Sequence, residues 1–133
     1  MTSPLESIAL RVEAASGAED DLFREAFDLC FPKPTRVWES EDREVWTTEY
    51  ENHHIRSWAF EAFLEVKAYL DAAMTLPPPG ATTCLAMEDR HSGRWRWELR
   101  HGYGVRTSAW AATPALALVA AALRARAAGE GEG

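Results

Sequence analysis

GRWRWELRHGYG, residues 93–104, interleaves tryptophan with arginine and closes on two glycines. Successive side chains of a strand point to opposite faces. Trp95, Trp97 and Leu99 then share one side, and Arg94, Arg96, Glu98 and Arg100 share the other. Burying two indoles under a helical layer contributes several kcal/mol at about 25 cal/mol per Å² of apolar area. The stretch is expected to be a strand whose tryptophans face a core. An aromatic, basic surface that holds nucleotides is the competing reading.

The flanking sequence supports a sheet. TTCLAMED (82–89), RWRWELR (94–100) and VRTSAWA (105–111) are strand candidates, separated by HSG and HGYG turns, and predict an antiparallel three-stranded meander. After it, Thr113-Pro114 reads as a helix cap followed by proline at the first helical position. Leu116, Val119, Ala120 and Leu123 are expected to face inward. Arg124 and Arg126 near the end of this helix suit its dipole.

Helices precede the sheet. Ser3, Pro4 and Glu6 form an N-terminal signal for a helix through Leu5, Ile8 and Val12, with Gly17 as its stop. Ser16 and Glu19 read as a capping box for a second helix. Its apolar stripe is Leu22, Phe23, Ala26, Phe27 and Cys30, and Pro32 and Pro34 end it. RVWE and EVWTTEY, on either side of SEDR, alternate and are expected to form a small hairpin within residues 35–56. A third helix is expected to start at Ser57 and bury Trp58, Ala59, Ala62, Phe63, Val66, Leu70, Ala73 and Met74, until PPPG at 77–80 stops it.

The 133 residues suit one domain, spanning 1–128 with a flexible tail at 129–133. Hydrophobic residues make up 47% and charged residues 26%, as in globular domains. No apolar run approaches the roughly 20 residues of a membrane span, and Glu6 and Glu13 do not suit a cleaved signal peptide. Cys30 and Cys84 are expected to be buried thiols. Together these features predict a cytoplasmic protein. The net charge of −7 disfavours direct binding to nucleic acid. Charge is uneven: Glu39, Glu41, Asp42, Glu44, Glu49 and Glu51 stand against Arg43 alone, and Arg90, Arg94, Arg96, Arg100 and Arg106 against Glu98 alone.

Four segments together resemble the phage ABA sandwich domain family: LESIALRVEAASGAEDDL (5–22), YLDAAMTLPPPG (69–80), the RWRWELR strand, and WAATPALALVAAALRARA (110–127). The resemblance implies helices, sheet and helices in layers, in a protein of a phage or prophage and hence inside a bacterial host cell. It carries no catalytic residue. The middle stretch, from Lys33 to about Val66, is longer and more acidic than the family pattern. The fold expected from both lines is α+β: a layered α/β/α sandwich with a small, mainly antiparallel sheet (the meander around residues 82–111) covered by helices.

No constellation for catalysis stands out. Glu49, Glu51, His53 and His54 form the nearest approach to a metal cluster, yet match neither HExxH nor paired CxxC spacing. Asp89-Arg90-His91 suits a hairpin tip. Cys84 with His91 or His101 lacks an evident orienting group. No metal or cofactor is expected.

The expected function is that of a non-catalytic accessory protein that binds a host protein and inhibits host defence. Trp38, Glu39, Glu41, Asp42, Glu44 and Trp46 are its candidate contact residues. One alternative is a binder of nucleotide-like small molecules through Arg94, Arg96, Arg100, Tyr103 and Trp110. Another is a homo-oligomeric phage assembly component, associating through an apolar patch around Trp38 and Trp46.

Overall fold

A computed structural model describes residues 3–34, 43–101 and 105–131. Helix α1, Pro4–Ala14, begins as its sequence predicts, with the Glu6 amide donating to Ser3 Oγ at 3.2 Å. It ends at Ala14, before Gly17. Helix α2, Asp20–Cys30, buries all five residues of its expected stripe. Its N-cap is Glu19, which makes no side-chain capping bond, so the Ser16–Glu19 box does not form.

EVWTTEY lies in a helix, not in a hairpin. Helix α3 spans Arg43–Glu65 and runs through Ser57, which is an interior residue and not its cap. RVWE lies outside the described residues. Neither glycine nor proline interrupts residues 43–65. The helix also carries Phe60 and Leu64, one turn apart, into the core at 2% and 0% exposure. That burial outweighs the weak β-preference of Val45, Trp46 and the two threonines, which is worth a fraction of a kcal/mol per residue.

The expected helix over 58–74 divides at residues 66–68. The Ala68 amide bonds to the Phe63 carbonyl at 2.8 Å and the Lys67 amide to the Leu64 carbonyl at 3.0 Å. This is the double bond of a Schellman terminus. Lys67 takes the left-handed position, with φ 61°. Helix α4, Tyr69–Ala73, follows in a new direction and buries Ala72 and Ala73.

Strands β1 (Thr82–Asp89), β2 (Arg94–His101) and β3 (Val105–Ala111) form the predicted antiparallel meander in the order β1-β2-β3. The register shifts between Thr83 and Leu85. At the first hairpin Asp89 accepts the His91 amide at 3.1 Å and the Ser92 hydroxyl at 2.9 Å, and Gly93 takes φ 71°. The Asp89-Arg90-His91 segment is thus turn chemistry.

Trp97 sits opposite Ala109, and Trp95 opposite Ala111. Both tryptophans are partly buried against the core, where Leu99 is fully buried. The small partners leave room for helix α5, Pro114–Gly131. Its Leu116 amide bonds to Thr113 Oγ1 at 3.1 Å. Not one face but every residue from Ala115 to Leu123 is buried, and so is Ala125. A helix apolar all round belongs at the centre of a fold. The sheet lies on one side of α5, while α1, α2 and α4 pack around it; α1 also touches β3. The fold is α+β with a small antiparallel sheet. Its layers run sheet, α5, outer helices, a one-sided form of the expected α/β/α stack. Helix α5 continues into the GEGEG segment, the expected tail.

Candidate functional site

The sheet face away from α5 carries the arginines. Register places Arg96 between Met87 and Trp110, Glu98 between Leu85 and Ser108, and Arg100 between Thr82 and Arg106. Arg96, Arg100 and Trp110 therefore share a face, as alternation predicts. Tyr103 lies outside the described residues.

Arg94 is otherwise engaged. One of its Nη atoms donates to the Glu13 carbonyl at 2.7 Å and to the Trp110 carbonyl at 3.1 Å. Arg96 Nη2 stands 3.5 Å from Glu98. Arg100 and Arg106 are both exposed, and neither has a carboxylate partner among the described residues. Arg106 was absent from the expected ligand set. Its place in VRTSAWA, alternating with Ser108 and Trp110, was the available signal. Trp110 is 40% exposed. This is the open outer face of the sheet, whereas small-molecule sites are concave. The arrangement suits a broad contact better than an enclosed nucleotide.

Helix α3 presents the second surface. Its inner side is fixed to α2. Arg24 donates to both oxygens of Glu61, at 2.8 and 3.0 Å. The Phe60 ring lies 4.7 Å from that of Phe27, and His53 Nε2 is 3.0 Å from the Phe31 carbonyl. Its outer side carries Ile55, Trp58, Ala62 and Val66, spaced 3, 4 and 4 residues. Ile55 is 61%, Trp58 72% and Val66 73% exposed. Trp58, Ala62, Val66, Leu70 and Met74 were expected to be core and are instead exposed. Helix α3 has two apolar stripes, and only the one through Phe60 and Leu64 meets the body.

Of the acidic stretch 39–51, Glu51 lies one turn before Ile55 and two turns before Trp58 on this outer face, whereas Glu49 lies on the side toward α2, lining a cleft with Phe31 and His53. Glu44 and Trp46 belong to the first turns of α3; Trp38, Glu39, Glu41 and Asp42 lie outside the described residues. Glu49 and Glu51 are exposed, one to two turns before Ile55. Glu49, Glu51, His53 and His54 occupy one helix without converging. Among the described residues no group of three or more His, Cys, Asp or Glu is placed to hold a metal ion. Burial pushes the Cys30 thiol up to about 11, with the Arg126 charge offsetting part of the shift. At that value it is a packing group, not a nucleophile.

Comparison with models of known families, with characterised proteins and with solved structures found no match. Among the described residues no helix is long and apolar enough to cross a membrane.

Proposed function

We propose that this protein is a non-catalytic binding module that docks on another protein through the outer face of α3. The observation that carries the reading is Trp58, 72% exposed between Ile55 and Val66 on a helix whose opposite side is anchored. Buried tryptophans are among the strongest contributors to protein interfaces, and exposed apolar side chains gathered on one helix face mark an interaction site. Glu51, exposed, stands two turns upstream of Trp58 on the same face of the helix. The complementary surface is an apolar groove with a basic rim, which also speeds encounter with an acidic protein. The net charge of −7 makes a second copy a poorer occupant.

The four segments that resemble the phage ABA sandwich family support a phage or prophage setting. The target is then a protein of the bacterial host, met in the cytoplasm, and the finer reading is inhibition of a host defence. A basic nucleic-acid channel is one surface that such an acidic helix can occupy.

The test begins with capture from host lysate and identification of what is retained. The recovered partner is then made pure and titrated against wild type, Trp58→Glu and Glu51→Lys. Each variant is expected to weaken binding at least tenfold, about 1.4 kcal/mol, and wild-type affinity should fall with salt. Equal binding by wild type and Trp58→Glu overturns the reading. So does a wild-type protein whose only partner is itself in sedimentation.

A further inference from the structure

We propose that the cleft beside Arg126 binds a small amphiphilic carboxylate, which goes beyond the docking role of α3. The cleft has a volume of about 560 Å³, within the range of small-molecule sites. It opens where the ends of α2, β2 and α5 meet the proline turn after α4. Leu5, Leu29, Pro78 and Pro79 supply apolar wall, and Arg126 and His101 supply polar groups.

The charge state of Arg126 decides the ligand class. Among the described residues its guanidinium donates only to uncharged carbonyls: Leu76 at 2.7 Å, and Cys30 and Pro77 each at 3.3 Å. Its carbon lies 4.9 Å from the centre of the Phe31 ring. Two residues earlier on the same helix, Arg124 is neutralised by Glu13. Arg126 has no carboxylate within ion-pair range among the described residues. A half-buried cation with spare N–H groups, set in an apolar wall, favours an anion with a hydrocarbon body. The planar fork suits a carboxylate in particular. His101, held by a 2.7 Å contact between Nε2 and Thr107 Oγ1, lines the same space.

Isothermal titration with sodium octanoate tests this, with octanol lacking the charge and inorganic phosphate lacking the tail. Octanoate is expected to bind at one site and to raise the melting temperature at millimolar concentration. Octanol and phosphate should each bind at least tenfold more weakly. Arg126→Gln should weaken octanoate at least tenfold. Leu29→Trp fills the cleft and leaves the Arg126 bonds in place, so it should abolish binding even if Arg126→Gln fails to fold. Absence of octanoate binding, octanol or phosphate binding as tightly, or undiminished binding by Leu29→Trp each overturns the proposal.

Discussion

Arg94, on the central strand, donates through Nη2 to the backbone carbonyl of Glu13 at 2.7 Å. The carbonyls of a helix's last turn have no partner within the helix, and Glu13 is the penultimate residue of α1. A cation is also favoured at that end of the helix dipole. The same nitrogen reaches the Trp110 carbonyl, so one guanidinium ties β2, β3 and α1 together. Arg94→Ala is expected to cost roughly 1.5–3 kcal/mol, the range for hydrogen bonds to a charged group. Arg96→Ala, which among the described residues removes the 3.5 Å pair with Glu98, should stay within about 0.5 kcal/mol. Urea denaturation of both variants checks the contrast, and equal losses would contradict it.

The centre of the molecule should resist enlargement. Ala121 is fully buried on α5, whereas Ala128 is exposed on the same helix. Ala121→Leu is expected to lose roughly 1–3 kcal/mol through overpacking. Ala128→Leu should be close to neutral. Thermal melts of the pair measure the difference.

Legibility followed the number of apolar faces each element carries. Helix α2 has one stripe, outlined by Asp21, Arg24, Glu25 and Asp28, and its buried residues could be read directly. The meander was equally plain, because turn residues bound each strand and alternation divides Trp97 from Arg96. Helix α5 offered a clue in plain view: from Pro114 to Leu123 it holds no charged residue, so a search for one inward face understated its burial. Helix α3 could not be read this way. Its stripes through Phe60 and through Trp58 are both periodic, and only tertiary contact selects between them. In the candidate site, Arg96, Arg100 and Trp110 were placed together by alternation alone. The diversion of Arg94 was not readable, since its partner lies 81 residues away.

The Tyr69 hydroxyl donates to Asp20 at 2.6 Å, and Lys67 Nζ stands 3.4 Å from the same carboxylate. The tyrosine bond first, then Lys67, holds Asp20 below its ordinary value of 3.8. Asp20 in turn raises Tyr69 above 10.0 and Lys67 above 10.5. A lowered carboxylate contributes stability above its unfolded value and loses it as pH falls through the folded one. The raised phenol and amine contribute below their unfolded values and lose it as pH rises through their folded ones. The stability gap between wild type and Tyr69→Phe should therefore be widest and flat across neutral pH. It should close below about pH 4 and again above about pH 10. Urea midpoints measured from pH 2.5 to 11 would show it; a gap independent of pH would remove the bond from the account.

The break between α3 and α4 gives the sharpest test of the backbone reading. A glycine normally fills the left-handed position of a Schellman terminus, yet this chain has Lys67 there with φ 61°. A residue with a β-carbon is disfavoured in that conformation by about 1 kcal/mol relative to glycine. What lysine returns is an exposed contact with Asp20 and a 6.0 Å approach to the Tyr69 ring centre, types of contact that contribute little at exposed sites. Lys67→Ala keeps the strain and loses the contact, while Lys67→Gly loses the contact and relieves the strain. Lys67→Gly should thus be the more stable variant by about 1 kcal/mol, and at least as stable as wild type at moderate salt. Had residues 58–74 formed the continuous helix that their periodicity suggests, the order would reverse, because glycine inside a helix is less stable than alanine by about the same amount. The sign of the difference between the two variants in urea denaturation distinguishes a turn from a helix at residue 67.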